Sequence, residues 1–279
     1  MHKPFDLHSD ITTHVSNALR EDIGDGDITA QLIPHDKQAQ ATIFCREKAV
    51  LCGAPWVEEA LRQVDTKIVY PWLCAEGDDV KKDQALIRLQ GNARSLLTVE
   101  RTLLNFLQTL SATATLAREY AHRVANTSVT LLDTRKTIPG LRSAQKYAVR
   151  VGGCKNHRLG LFDAFLIKEN HINACGSISA AVAKAHQLHP GKPVEVEVEN
   201  LLQLEEALSA SVDTIMLDNF SLEDLRKAVK INAGRVKLEA SGGINDETLL
   251  AIAQTGIDYI SIGALTKNCK AIDLSMLFQ

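Results

Sequence analysis

The sequence lacks any apolar run that approaches the ~20 residues needed to cross a bilayer, and its first residues, MHKPFDLHSD, lack the apolar core of a signal peptide. It also lacks CxxC motifs and closely paired cysteines, which argues against a disulfide framework. We therefore expect a cytoplasmic protein with no membrane partner and reduced thiols. The cysteines are Cys45, Cys52, Cys74, Cys154, Cys175 and Cys269.

Several catalytic and binding signatures are absent as well. No GxSxG, Walker A or GxGxxG pattern occurs, so a serine or cysteine nucleophile is not expected. Neither the histidines nor the cysteines have the spacing of a zinc site. The net charge is only -3, and the basic residues form no helical stripe or aromatic platform, which argues against a nucleic-acid partner.

The chain of 279 residues, 45% hydrophobic, is long enough for two modest domains. The first part, to about residue 110, mixes helical and strand patterns. Its first helix has Ile11, Val15 and Leu19 four apart on one face. The predicted elements are helices over 7–19, 54–64 and 93–124, the last with a break near 111–115, and strands over 41–45, 67–72 and 85–89.

The second part alternates short strands with helices, which predicts a parallel sheet covered by helices. The strands are predicted over 129–133, 164–168, 194–198, 214–217, 236–240 and 259–262. The helices are predicted near 141–151, 177–188, 201–210, 221–232 and 246–255.

Alternation within two of these strands distinguishes a barrel from an open sheet. In VEVEVE the glutamates Glu195, Glu197 and Glu199 share one face, and Lys237, Glu239 and Ser241 share a face of a later strand. Strands buried on both faces of an open sheet should be apolar throughout, so the pattern favours a barrel with a small polar lumen. An edge strand with one wet face is the alternative.

Cations are concentrated between Leu131 and His171. This stretch holds eight lysines and arginines and also His157, against only three acidic residues. Several of these cations adjoin buried strands, where they are costly unless they face an anion or a cleft. The concentration indicates a site for a small substrate with several negative charges.

The ends of the predicted strands carry the residues expected to do chemistry, because barrel active sites lie at the carboxyl ends of the strands. Glu197 and Asp218 end adjacent strands and suit Mg²⁺ or sugar hydroxyls. Ser241-Gly242-Gly243, followed by a helix, suits a phosphate, although an ordinary tight turn explains that tripeptide equally well.

Lys168 follows an apolar strand. We expect its stem to be buried and its ammonium group to face the barrel mouth, held by Glu197 and Glu199.

Eight segments resemble the sequence pattern of quinolinate phosphoribosyltransferases. They occur in the same order as in that family and span nearly the whole chain. They are EDIGDGDIT (21–29), ERTLLNFLQTLSATAT (100–115), DTRKTIPGLR (133–142), KYAVRVGGCKNHR (146–158), LIKENH (166–171), VEVEN (196–200), MLDN (216–219) and EASGGI (239–244). One departure is Cys154, where the family often has a third glycine.

The resemblance implies an N-terminal α/β sandwich over 1–112 and a C-terminal α/β barrel of fewer than eight strands over 113–279, with a C-terminal tail that returns to the first domain. It also implies a homodimer. The implied reaction joins quinolinate to phosphoribosyl pyrophosphate with Mg²⁺, and it yields nicotinate mononucleotide, pyrophosphate and carbon dioxide in NAD biosynthesis.

Site residues follow from the same resemblance. The catalytic residues would be Lys136, Lys168, Glu197 and Asp218, the last two holding Mg²⁺ partly through water. The substrate-binding residues would be Arg101 from the partner subunit, Thr134, Arg135, Lys136, His157, Arg158, Lys168, Glu197, Asp218, Ser241, Gly242, Gly243, Ile262, Gly263 and Ala264.

Two other functions stay open on this scaffold. A ModD-like enzyme would use a different acceptor, and the complete set of cationic positions argues against it. A non-catalytic metabolite-binding protein would have no need of the paired Glu197 and Asp218.

Overall fold

The computed structural model describes residues 6–279, so the signal-peptide prediction rests partly on residues outside that range. The chain divides into two compact units. The first comprises the residues up to Glu119 together with Thr137–Gly153 and Leu265–Gln279, and the second comprises Tyr120–Lys136 and Cys154–Ala264. In the part of the chain described, no helix has the length and apolarity to span a membrane.

The elements are numbered in chain order. The helices are α1 (Leu7–Ile23), α2 (Ala54–Val64), α3 (Ala93–Arg123), α4 (Arg142–Val151), α5 (Glu169–Cys175), α6 (Ile178–Leu188), α7 (Leu201–Ser209), α8 (Leu222–Asn232), α9 (Leu249–Ala253) and α10 (Ala264–Lys267). The strands are β1 (Gln38–Cys45), β2 (Ala49–Val50), β3 (Asp79–Val80), β4 (Gln84–Asn92), β5 (Thr130–Leu132), β6 (Phe165–Ile167), β7 (Val194–Val198), β8 (Thr214–Asp218), β9 (Lys237–Ser241), β10 (Tyr259–Ser261) and β11 (Leu274–Phe278).

A three-stranded antiparallel sheet, in the order β11-β1-β4, forms the centre of the first unit. Ile43 is fully buried and lies opposite Ile87 and Met276 in the register, so one face of the sheet enters the core. Burial of this alternating apolar face stabilises the unit. The C-terminal tail supplies the edge strand β11, and the predicted N-terminal α/β sandwich is confirmed.

Helix α1 buries the predicted face of Ile11, Val15 and Leu19. The Asp6 side chain caps its first turn by accepting a hydrogen bond from the His8 backbone N–H at 3.1 Å. The helix runs one turn beyond the predicted end.

The predicted break in α3 is wrong, because the helix is continuous through residues 111–115. The Thr115 hydroxyl donates to the Ser111 carbonyl at 2.6 Å, and the Ser111 hydroxyl donates to the Cys52 carbonyl and accepts from the Cys52 backbone N–H. These hydroxyl groups satisfy polar atoms of the helix and its neighbour, so tertiary contacts override the weak helix propensity of the small residues.

The predicted strand over 67–72 is also wrong. The segment makes only isolated bridges, Val69 with Gln90 and Trp72 with Ile87. Pro71 lies between them and lacks the N–H that a continuous ladder requires.

Six parallel strands form the sheet of the second unit, in the order β5-β10-β9-β8-β7-β6. The predicted α/β barrel with fewer than eight strands is confirmed. A non-strand segment contacts both edge strands. Lys155 exchanges backbone hydrogen bonds with the β5 region, and the Arg158 guanidinium donates to the Ala164 carbonyl, next to β6, at 3.3 Å. This segment takes the place of a further strand.

The two faces of β7 show how the lumen is built. Val194, Val196 and Val198 are fully buried on one face, whereas Glu195 and Glu197 point to the other. Glu239 of β9 is only 1% exposed. The predicted polar lumen is therefore present, with its carboxylates inside the ring of strands.

Candidate active site

A cavity of about 180 Å³ lies at the carboxyl ends of the strands of the second unit. Its walls combine cations, carboxylates and small polar groups, as the sequence predicted. The predicted residues that line it are Thr134, Arg135, Lys136, His157, Arg158, Lys168, Glu197 and Ser241. Leu166, Met216 and Ser261 also line it and were not predicted.

Lys168 stands at the end of β6 and forms an ion pair with Glu197. Its side chain is 44% exposed, so the predicted burial is partial, and the residue occupies the N-cap position of α5. Glu199 is exposed at the end of the neighbouring strand. Glu197 thus holds the Lys168 ammonium group in place at the cavity wall.

Two guanidinium groups lie close together in the cavity. Burial, followed by the nearby charge of Arg135, lowers the pKa of Arg158, while Glu195 and Asp163 act in the opposite direction. The Arg135 Nε is buried and has no hydrogen-bond partner among residues 6–279. A buried donor without an acceptor is costly, so the arrangement favours an anionic ligand that supplies one.

Asp133 shapes the segment that carries the cations. It is fully buried, and its carboxylate accepts from the His157 backbone N–H at 2.9 Å and from the Asn156 side chain at 2.6 Å. These bonds fix the direction in which the chain leaves residue 156. The side chains of His157 and Arg158 are thereby directed to the cavity wall.

His157 contacts two buried carboxylates. Its Nε2 lies 2.8 Å from a Glu195 oxygen and 3.6 Å from a Glu239 oxygen. Burial, with the adjacent Glu195 as the second cause, raises the pKa of Glu239 to about 8. Sequence alternation placed both glutamates in the lumen, but it did not identify them as neighbours of His157.

A second cavity, of about 280 Å³, lies at the opposite ends of the strands. Its lining includes Val194, Thr214 and Tyr259, which are the first residues of their strands. His157 and Arg158 line this cavity as well as the first one. The two side chains therefore lie between the cavity at the carboxyl ends of the strands and the cavity at their other ends.

The glycine loop after β9 requires its glycines for conformational reasons. Gly242 and Gly243 have φ values of 89° and 62°, which side chains other than glycine rarely adopt. A Cβ at Gly242 would lie 2.1 Å from the Asn219 Oδ1. The predicted helix near 246–255 begins only at Leu249 and has five residues, so backbone N–H groups of the loop, more than a helix dipole, are suited to a phosphate.

Gly263 lies against the cationic loop. A Cβ there would approach the Lys136 Cδ to 3.0 Å and the Thr134 Oγ1 to 3.6 Å. Ile262 donates its backbone N–H to the Leu132 carbonyl at 2.8 Å, and Ala264 begins α10. The predicted phosphate positions thus adjoin Thr134 and Lys136.

The carboxylates predicted to bind Mg²⁺ end adjacent strands, Glu197 on β7 and Asp218 on β8. Asp218 accepts a hydrogen bond from the Asn219 side chain at 2.8 Å and lies beside Ser241 in the register. Carboxylate oxygens at a partly exposed rim are the donors that Mg²⁺ prefers, so the residues fit the ion.

Arg101 is not part of this cavity's lining. It lies on α3 in the first unit, and its side chain is exposed.

Comparison with known proteins agrees with this geometry. The family description "Quinolinate phosphoribosyl transferase, N-terminal domain" matches residues 27–111, and "Quinolinate phosphoribosyl transferase, C-terminal domain" matches residues 113–277. A probable nicotinate-nucleotide pyrophosphorylase [carboxylating] of Bacillus subtilis is 40% identical over 96% of this chain and 93% of its own length. Quinolinate phosphoribosyltransferase [decarboxylating] 1b of Nicotiana tabacum is 39% identical over 96% of this chain and 82% of its own length.

A solved structure gives the same result. The nicotinate-nucleotide pyrophosphorylase from Francisella tularensis superposes with a TM-score of 0.95 at 49% identity, over 99% of this chain and all of its own. The two family descriptions together cover nearly the whole chain, and both domains match in the expected order. The chain therefore belongs to the quinolinate phosphoribosyltransferase family.

Proposed function

We propose that this chain transfers the phosphoribosyl group of phosphoribosyl pyrophosphate to quinolinate and releases pyrophosphate and carbon dioxide, forming nicotinate mononucleotide for NAD biosynthesis. The observation that carries the proposal is the cationic cavity at the strand ends, where a buried Arg135 donor lies beside Arg158 and Lys168. The names of the relatives support the same reaction.

Quinolinate carries two carboxylates on an aromatic ring. The planar guanidinium groups of Arg135 and Arg158 suit bidentate binding of such groups, and the Lys168 ammonium adds a third positive charge. Because Lys168 is itself held by Glu197, it is oriented before the substrate binds. A preorganised cationic wall selects for the dianionic acceptor.

Phosphoribosyl pyrophosphate would bind on the other side of the cavity. The glycine loops at Gly242 and Gly263 offer backbone N–H groups to the 5′-phosphate, and Lys136 attracts the pyrophosphate. Glu197 and Asp218 accept hydrogen bonds from the ribose hydroxyls and would hold Mg²⁺. When bound, Mg²⁺ neutralises charge on the leaving pyrophosphate.

Catalysis then depends on positioning and electrostatics. As the bond to pyrophosphate breaks, the ribose acquires oxocarbenium character, which the nearby carboxylates stabilise, while the quinolinate nitrogen attacks the anomeric carbon. The carboxylate beside the resulting pyridinium nitrogen then leaves as carbon dioxide. The electron pair of the broken carbon–carbon bond stays on the ring carbon, where the pyridinium nitrogen stabilises it, and that carbon takes up a proton from solvent.

The proposed working unit is a homodimer in the cytoplasm. Arg101 is exposed on α3 and is not among the residues that line the cavity of its own second unit, and it would complete the cationic wall of the partner subunit. All six cysteines are free thiols, which fits a reducing compartment.

The test is a product assay with quinolinate, phosphoribosyl pyrophosphate and Mg²⁺. We expect equimolar nicotinate mononucleotide, pyrophosphate and carbon dioxide, with no turnover when a chelator removes the metal ion. Release of pyrophosphate without carbon dioxide would indicate a different acceptor chemistry and would contradict the proposal.

The dimer is tested by complementation. Arg101→Ala and Lys168→Ala variants are each expected to be inactive, and a mixture that exchanges subunits should regain activity because some heterodimers contain one intact site. Exchange without recovered activity would show that Arg101 does not act across the interface.

A further inference from the structure

Both ring nitrogens of His157 are engaged in hydrogen bonds. The Arg158 backbone N–H donates to the His157 Nδ1 at 2.8 Å. A peptide N–H can only donate, so Nδ1 must present a lone pair and carries no proton. The proton of the neutral ring is consequently on Nε2, which lies 2.8 Å from the Glu195 Oε2.

Glu195 accepts the hydrogen bond that the Nε2–H donates. Its distance to Nε2 is within hydrogen-bond range, whereas the Glu239 oxygen is 3.6 Å away. Both glutamates are buried, at 8% and 1% exposure. Bulk water therefore does not compete with them as an acceptor for the Nε2–H. The carboxylate of Glu195 comes from β7, and the ring is thus tied both to a strand and to its own backbone.

The same three residues offer ligand atoms within 4.8 Å of one another, a spacing that a metal ion can use. The Nε2 atom, however, is the atom that donates to Glu195, and the lone pair of Nδ1 is occupied by the Arg158 N–H. The three residues therefore form a hydrogen-bonded cluster, in which neither ring nitrogen has a lone pair available for a metal ion.

We infer that Glu195 is a positioning residue that holds His157 as its neutral Nε2–H tautomer, so that His157 forms a fixed, uncharged wall of the acceptor cavity. The positive charges that meet the acceptor are then those of Arg135, Arg158 and Lys168. This refines the sequence-based prediction that His157 is one of the groups that bind carboxylates. It also gives the buried Glu195 a role in the reaction, and that role rests on the proposed function.

The tautomer is tested without substrate, by nitrogen-15 NMR of the histidine rings at neutral pH. The His157 resonances are assigned by their loss in His157→Gln. We expect a protonated Nε2 and an unprotonated Nδ1 in the wild type and in Glu195→Gln, because the glutamine carbonyl can accept the same hydrogen bond. In Glu195→Leu the Nε2–H has no acceptor on β7, so we expect the ring to turn away from the Arg158 N–H and this single-tautomer pattern to be lost. A wild-type ring protonated on Nδ1, or on both nitrogens, would overturn the inference.

Kinetics test the consequence for the reaction. Glu195→Leu should raise KM for quinolinate about 10-fold while kcat changes less than about 3-fold, since the misplaced ring distorts the cavity but leaves the charged groups intact. Glu195→Gln should restore KM to within about 3-fold of wild type, and Glu205→Leu, at an exposed position on α7 that lines neither cavity, should leave it unchanged.

Equal damage from Glu195→Gln and Glu195→Leu, or an unchanged KM in folded Glu195→Leu, would contradict the positioning role. If the wild type does not turn over quinolinate at all, the proposed function fails, and the NMR result still decides the tautomer.

Discussion

Glu59 in the first unit and Glu239 in the second are both buried, but their surroundings are opposite. The Glu59 carboxylate accepts from Arg62 at 2.6 and 2.7 Å and from Gln63 at 2.6 Å, and the Arg62 hydrogen bond is the largest cause that lowers the pKa of Glu59 to about 2. Glu239 has a second carboxylate, Glu195, beside it, and burial raises its pKa.

The difference separates stabilising charges from functional ones. A buried carboxylate with a cation and an amide contributes to the fold in its ionised form. A buried carboxylate next to another acid is costly to ionise, and natural proteins keep such groups mostly where chemistry needs them. The lumen of the second unit collects these costly groups, whereas the core of the first unit is apolar around Glu59.

The strongest test of this comparison uses the two ion pairs, Glu197–Lys168 and Glu59–Arg62. We expect Lys168→Met to lower kcat/KM by at least ~100-fold with little loss of stability, since one charge is removed from a preorganised site. Arg62→Met should leave kcat/KM unchanged but lower the free energy of unfolding, because Glu59 is left buried and underpaired. Steady-state kinetics and urea denaturation measure both; near-normal kcat/KM in Lys168→Met would assign that residue to packing.

The glycine loop provides the next test. Gly242→Ala should reduce kcat/KM about 10-fold, because the new Cβ meets Asn219 and the backbone strain displaces the loop. Gly234→Ala is the matched control: it has a similar φ of 76° but no atom within 4 Å of the added Cβ, so it should only lower stability. The kinetics are measured at limiting phosphoribosyl pyrophosphate. Comparable activity in the two variants would show that the loop does not bind the phosphate.

The pH dependence of stability should have opposite signs at the two buried glutamates. The pKa of Glu239 is about 8 in the folded protein against an ordinary 4.5, so the wild type loses stability as pH rises through that window, and Glu239→Gln should become progressively more stable relative to it. The pKa of Glu59 is about 2, so its contribution is present above pH 4.5 and disappears as pH falls toward 2. Glu59→Gln should therefore be less stable than wild type at pH 7, and the gap should shrink in acid.

Urea denaturation across pH 3 to 9 measures both differences. Parallel stability curves for either variant and the wild type would contradict the corresponding pKa shift.

The smallest effect is expected at Cys154. Burial, and then the nearby Asp133, raise the pKa of its thiol to about 12, so it stays protonated and packs as a small apolar group. Cys154→Ala should cost about 1 kcal/mol of stability and change kcat/KM less than about 2-fold. A large kinetic effect would show that this departure from the family pattern has a role in the site.

Periodicity predicted most of the fold because the chain's apolar spacing is regular. The strand VEVEV was placed over residues 194–198 as observed, and helix α2 over 54–64. One error arose where tertiary contacts replaced local preference, and the other arose at a proline, which is a local signal against a continuous strand. Ser111 and Thr115 are stabilised within α3 by hydrogen bonds that the local sequence pattern does not predict. Pro71 interrupts a run that otherwise has the pattern of a strand.

The site was predicted less completely than the fold. Alternation placed Glu195 and Glu239 in the lumen, but their contact with His157 joins three segments far apart in the sequence. The exposure of Lys168 depends on where β6 ends, which is the least predictable property of a strand.

The central claim is that the strand-end cavity is built for a dicarboxylate acceptor. The most direct measurement is the ratio of kcat/KM for quinolinate to kcat/KM for nicotinate under identical conditions. Nicotinate lacks one carboxylate and leaves cations such as Arg135 without a partner, a loss of several kcal/mol, so we predict a ratio of at least ~1,000. Equal values for the two acceptors would contradict the account.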